Sequence, residues 1–235
     1  PFRKVIAISN TVAEVLRAAG IEGDRVTVIR SAVDAAAFAE TADPADFRRE
    51  FNIPEGIPAL AAAGQLIPRK GHRFLLDAAA QLKNSGMVFR LMIFGEGELD
   101  KTLREQAASL GLGDVVQFPG YRDDLDRWIG CFDLFVHPAL AEGLGVATLK
   151  AQAAGVPVVA FAAGGLREAV ADEETGLLVE AEDSDALARA MQRLLDDDAL
   201  RARFAAAGRV RMASEFSIDT MADKHVALYE SILND

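Results

Sequence analysis

Short apolar runs rich in Val, Ile and Phe alternate along the chain with longer stretches whose apolar residues recur at helical spacing. The runs predict strands near residues 4–9, 26–30, 59–64, 89–95, 115–118, 134–137, 156–161 and 177–179, since a strand buried on both faces reads as one hydrophobic block. Between them the spacing predicts helices over 11–19, 72–83, 99–110, 125–131 and 146–154. This alternation describes a doubly wound α/β fold with a mainly parallel, Rossmann-like sheet.

Both ends break the rhythm. The first strand, helix and second strand make a single β-α-β unit with no sheet of its own to join, the state of a fragment of something larger. The stretch 32–46, rich in Ala and Asp, is expected to connect it to the main domain. Near the other end, 185–195, 198–212 and 218–233 predict three consecutive helices, with Ser217 as the N-cap of the last. We therefore divide the chain into a leading remnant with its link (1–38), a central domain (39–215) and a final helical segment (216–235).

In an open parallel sheet, ligands gather outside the carboxyl ends of the strands, so the loops there carry the chemistry. Gly64-Gln65-Leu66-Ile67-Pro68-Arg69-Lys70-Gly71 delivers two cations just before a helix. In Gly95-Glu96-Gly97 two glycines let backbone approach a ligand. Glu142-Gly143-Leu144-Gly145 leads into the helix at 146, whose first-turn amides and positive dipole suit a diphosphate. Glu142 repels phosphate and suits neutral hydroxyls, such as those of a sugar. Gly164-Gly165 precedes Glu168, a first-turn carboxylate open to two readings, dipole pairing or donor contact. Together these loops describe a pocket for a phosphate bearing a polyhydroxylated group.

Composition narrows the partners. A net charge of -11 argues against a nucleic-acid surface, which relies on many Lys and Arg contacts. No apolar run approaches the ~20 residues of a membrane span and nothing resembles a signal peptide, so a soluble, cytoplasmic protein is expected. The lone Cys131 forms no internal disulfide, and three dispersed His offer no metal-ligand spacing. Asp124-Leu125-Asp126 mimics a metal-binding Asp-x-Asp, but its place at a helix start predicts capping and dipole pairing. Asp196-Asp197-Asp198 reads as a cap between helices, Trp128 as core, and His72 and His225 as surface or packing residues. His137, at a strand end, is either structural or turned toward the pocket.

The succession Gly64…Arg69-Lys70-Gly71, Gly95-Glu96-Gly97, the 115–120 run, Asp133…Pro138…Glu142-Gly143-Leu144-Gly145, Gly155-Val156-Pro157-Val158, Gly164-Gly165…Glu168 and Gly176-Leu177-Leu178-Val179 resembles the donor domain of GT-B glycosyltransferases of family four. Ile6-Ala7-Ile8-Ser9 and the segment 28–38 resemble the end of that family's N-terminal domain and the interdomain link. The segment 218–233 resembles the helix that crosses back. The resemblance implies transfer of a sugar from a nucleotide diphosphate sugar with retained configuration, no cofactor and no obligatory metal. It also implies an acceptor-binding N-terminal domain needed for turnover, and admits peripheral membrane contact by the whole enzyme.

Carried over residue by residue, Lys70 neutralises the donor diphosphate with Arg69 beside it, and Glu142 accepts from the sugar hydroxyls. Gly143, Leu144 and Gly145 bring amides to the phosphates or the sugar, and Gly64, Gly95, Gly97 and Glu168 complete the donor pocket. Two positions depart from the pattern. Gln65 stands where the family commonly has Arg, and Lys150 stands where a second Glu would grip the ribose. A lysine cannot accept from ribose hydroxyls, so altered ribose recognition is expected, with Lys150 partly replacing the missing Arg charge toward phosphate. A non-catalytic nucleotide-sugar-binding module and a GT-B-type sugar-nucleotide epimerase are the competing readings.

Overall fold

A computed structural model describes residues 2–234 and arranges the strands in two parallel sheets. The smaller pairs Val5–Ala7 (β1) with Val26–Val28 (β2), and Asn10–Ala18 (α1) crosses between them. Ser9 caps α1 by accepting from the Val12 amide at 3.1 Å. Ala7, Ala13 and Val26 form the small core of this unit.

The link then enters the central domain through Pro44–Glu50 (α2). Six strands follow: Ala59–Ala63 (β3), Arg90–Phe94 (β4), Val116–Gly120 (β5), Leu134–His137 (β6), Val158–Phe161 (β7) and Gly176–Val179 (β8). His72–Asn84 (α3), Asp100–Ser109 (α4), Leu125–Trp128 (α5), Val146–Ala153 (α6) and Leu166–Ala169 (α7) connect them, and Ser184–Asp196 (α8), Asp198–Glu215 (α9) and Ile218–Asn234 (α10) complete the chain. The spatial order is β5-β4-β3-β6-β7-β8, every pairing parallel. The chain winds outward from β3 to β5 and then returns to lay β6 on the other side of β3. Loops leaving β3 and β6 thus diverge, and a crevice opens at their carboxyl ends.

Alternation along the strands builds one core layer on each face of the sheet. Leu60, Leu91, Ile93, Val136 and Phe161 pack with Leu75, Leu76, Leu187 and Met191 of α3 and α8. Ala61, Met92, Phe94, Phe135 and Val158 face the opposite layer, with Leu149 of α6. There Phe47, Phe51, Phe94, Trp128 and Phe132 interlock, with ring centroids 4.8 Å apart for the edge-on pair Phe47 and Phe132. Trp128 is core, as its place on the helix predicts.

The structure corrects the sequence reading in two places. The stretch expected to be a plain connection ends in a helix: Asp43 accepts from the Ala45 amide at 2.7 Å, and Pro44 fixes the first φ. At seven residues α2 spans under two turns, too few for periodicity to register. Asp124 precedes α5 as expected, yet its side chain caps no amide. It accepts from Arg122 Nε and Nη2, each at 2.7 Å, and from Trp128 Nε1 at 3.0 Å. The guanidinium fork matches a carboxylate with two charge-assisted bonds, which outcompete one backbone amide. Asp197 and Ser217, by contrast, cap α9 and α10 through the Leu200 and Thr220 amides.

The leading unit is fastened to the central domain chiefly through Glu168. One carboxylate oxygen accepts from Asn10 Nδ2 at 2.8 Å and Arg30 Nε at 3.1 Å, and the other from the Thr11 amide at 3.2 Å. The link is pinned separately where the Val33 amide donates to the Phe216 carbonyl at 2.9 Å. Replacing Glu168 with Ala removes the three bonds to the leading unit, each of the charged type contributing about 1.5–3 kcal/mol. Amides of α1 are expected to exchange with deuterium at least roughly thirtyfold faster in that variant, the factor for ~2 kcal/mol and so for the loss of one such bond alone, while β3 to β8 keep their protection. Unchanged exchange in α1, measured by mass spectrometry, refutes the clamp.

Candidate functional site

At the crevice between β3 and β6 the two loops are pressed backbone to backbone. Gly71 sits at φ +67, where a Cβ would lie 1.9 Å from the Pro138 carbonyl oxygen. The Leu140 amide donates to the Arg69 carbonyl at 2.8 Å, and Arg69 Nη1 reaches the Ala141 carbonyl at 3.3 Å. Arg69 is therefore a brace between loops. The stem of Lys70 crosses Gly64, 3.5 Å from where a Cβ would stand, and its Nζ pairs with Glu142 Oε2.

Glu142 is the hub. Besides Lys70 it receives His137 Nε2 at 3.3 Å, and its other oxygen lies 3.3 Å from the Gly143 amide. The His137 hydrogen bond, opposed by burial and assisted by Lys70, lowers the Glu142 carboxyl to about 2. His137 is 2% exposed, stacked on Phe135, and burial holds its pKa below the usual imidazole value. The trio is thus a carboxylate and an ammonium steadied by a neutral imidazole. Here the sequence left His137 open between two readings; the structure places it at the floor of the cleft, bonded to Glu142.

These groups open into a cleft of about 440 Å³ that also includes Gly64, Leu144, Gly145, Val146, Ala147 and Lys150. Gly145 caps α6 at φ +88, and a Cβ there would strike Leu166 Cδ2 at 2.7 Å, so the turn into the helix requires glycine. Val146 and Ala147 line the cleft, and their amides, in the first turn, have no carbonyl of their own within the helix. They are better placed as anion donors than the amides expected from the sequence, since Gly143 turns to Glu142 and Leu144 is 1% exposed. A second hollow of about 400 Å³ adjoins the first across Gly64, Tyr121 and Arg122, and is lined by Gln65, Gly95 and Glu96.

Not every expected residue faces the cleft. Gly95 and Gly97 are required by contact between loops: a Cβ on either would stand 2.0 Å from the Gly64 carbonyl oxygen or 2.4 Å from that of Leu66. Glu168 is engaged with the leading unit. Lys150 reaches the cleft, but its Nζ lies 2.6 Å from Asp126 Oδ2, so its charge meets a carboxylate. Tyr121, Arg122 and Asp126 line the cleft without having been singled out as binding residues. Their signal was present, because they follow a strand of the same sheet at its carboxyl end.

With this geometry in view, the chain belongs to the glycosyl transferases group 1 family, which it matches over residues 43–211. Among its relatives, the lipopolysaccharide core biosynthesis glycosyltransferase LpsE of Rhizobium meliloti is 31% identical over 184 residues, covering 78% of this chain and 53% of that protein. The D-inositol 3-phosphate glycosyltransferase of Salinispora arenicola is 37% identical over 222 residues, 87% of this chain and 49% of that protein. The crystal structure of Anabaena Alr3699/HepE in complex with UDP-glucose superposes with a TM-score of 0.90 at 26% identity, over 97% of this chain and 64% of that one. The chain spans about half the length of the curated relatives it matches. The α/β architecture is that of the GT-B glycosyltransferases.

Beside the trio, His72 is 4% exposed and neither ring nitrogen has a hydrogen-bond partner among the described residues. Burial, with His137 nearby, lowers its pKa from 6.5 to about 4. The unfolded chain therefore takes up a proton at this position between those values that the folded chain refuses. The stability His72 confers is complete above pH 6.5 and is lost as pH falls toward 4, at up to about 1.4 kcal/mol per pH unit. Glu142 adds its own loss only below its ordinary 4.5. Thermal unfolding between pH 7 and 4.5 is expected to show a shallower pH dependence in His72→Leu than in the natural protein; equal slopes contradict the burial of a neutral imidazole.

Proposed function

We propose that the chain is the donor-binding half of a retaining glycosyltransferase, moving a sugar from a nucleotide diphosphate sugar to an acceptor held by a further domain. The observation that carries this reading is the Lys70, Glu142 and His137 trio beside the first turn of α6. A diphosphate placed against the Val146 and Ala147 amides receives the helix dipole and lies within reach of the Lys70 ammonium. Glu142, kept ionised, is an acceptor for sugar hydroxyls. As the bond from the anomeric carbon to the phosphate oxygen lengthens, charge gathers on the departing diphosphate, and these fixed donors stabilise it there more than in the ground state.

Retention of configuration and absence of an obligatory metal follow from the family resemblance, and a cytoplasmic setting is the expectation drawn from the sequence. The HepE complex with UDP-glucose supports a uridine donor as the first to try. Ile8, on the leading unit, lines the same cleft, and the chain's share of its relatives' length supports an acceptor-binding domain beyond that unit. No helix among the described residues is long and apolar enough to cross a membrane.

A thermal-shift screen of UDP-, GDP- and ADP-sugars tests the reading. A true donor at a hundred times its dissociation constant stabilises by about 2.7 kcal/mol. Lys70→Ala is expected to weaken binding of that nucleotide diphosphate at least about tenfold, as fits the loss of a charge-assisted hydrogen bond. Glu142→Gln should spare the nucleotide diphosphate and erase the additional affinity given by the sugar. No stabilisation by any of the donors refutes the proposal.

A further inference from the structure

The cleft holds two lysine and carboxylate pairs, one before α6 and one built on it. Lys70 with Glu142 comes from the loops before the helix; Lys150 with Asp126 joins α6 itself to the first turn of α5, at 2.6 Å. All four residues line the cleft, as do Val146 and Ala147 of the first turn of α6. A nucleotide diphosphate sugar has the same sequence of chemistry: a neutral polyol, a dianionic diphosphate, and a second neutral polyol in the ribose.

We infer that Asp126, oriented by Lys150, is the carboxylate that accepts hydrogen bonds from the donor's ribose hydroxyls. The inference rests on the nucleotide-sugar reading above and extends it to the far end of the ligand. Lys150 holds Oδ2 of Asp126, which leaves Oδ1 with no protein partner among the described residues. The Asp126 side chain retains half of its surface and the Lys150 side chain 37%, so the pair sits on the wall of the cleft rather than beneath it. A carboxylate accepts from two adjacent hydroxyls where a lysine cannot. The lysine partner offsets its charge, so that the carboxylate can stand near a diphosphate. The neighbouring cation Arg122 does not compete for Asp126, because its guanidinium is taken by Asp124 at 2.7 Å and Glu50 at 2.8 Å. The charge of Lys150 thus acts through Asp126 and not on the phosphate.

Calorimetric titration of the protein with UDP and 2′,3′-dideoxy-UDP, and with GDP and its dideoxy counterpart, tests this. In the natural protein the hydroxyls of the nucleotide that binds should contribute about tenfold or more in affinity. In Asp126→Asn and Asp126→Ala that preference should collapse while the dideoxy nucleotide binds as before. The double exchange Asp126→Lys with Lys150→Asp moves the carboxylate across the pair and should restore part of the preference. A loosened α5 would weaken both nucleotides alike and leave the preference intact; that result, or a preference unchanged in Asp126→Asn, overturns the role of Asp126 while the donor reading stands. Failure of UDP, GDP and, titrated in the same way, ADP to bind the natural protein overturns both together.

Discussion

At Gly71 the chain passes so close to Pro138 that any side chain would occupy the space of a carbonyl oxygen, 1.9 Å from the ideal Cβ position. This contact holds the loop after β3 against the loop after β6, and the chemistry of the cleft depends on it. Lys70 is the residue before Gly71, and Glu142 lies four residues beyond Pro138. Their ion pair forms because backbone is already locked to backbone, with the Leu140 amide and the Arg69 side chain tying the same seam. The sheet order explains why the seam exists, since β3 and β6 are neighbours whose outgoing connections turn opposite ways.

Burial then sets the charge state of what the seam brings together. His137 lies too deep to hold a proton readily and so remains a neutral donor to Glu142. Glu142 is tied to His137 and Lys70 and remains ionised far into acid. A cation beside a carboxylate at a helix start is suited to a ligand that is itself half anion and half polyol. The same logic accounts for the second pair, Asp126 with Lys150, which lines the same cleft.

The fold was legible because buried parallel strands are continuous apolar blocks. The eight predicted strands all exist, with ends shifted by one or two residues where turn glycines and prolines blur the edges. Helix α2 was not legible, since Pro44–Glu50 is too short to display a period and its cap Asp43 stood in a run that reads as linker. Lys70, Glu142 and Gly145 could be anticipated because their chemistry is local to one loop each. Asp126 was legible by its place behind β5, but its pairing and the engagement of Glu168 were not, since they depend on partners elsewhere in the chain, Lys150 and Arg30. Gly95 and Gly97 read in the sequence as room for a ligand, and the structure gives each a second reason, since another loop's carbonyl fills the space of a Cβ.

The Gly164-Gly165 turn joins two jobs that are separate in the sequence. A Cβ at Gly164 or Gly165 would collide with the carbonyl oxygen of Glu142 or Gly143, and the Gly165 amide donates to Glu142 at 2.9 Å. Three residues later Glu168 grips α1 and Arg30. The turn is therefore a short, stiff lever with the leading unit on one arm and the backbone of the sugar-facing carboxylate on the other. The position of the leading unit and the backbone position of Glu142 are thus referenced to the same few residues.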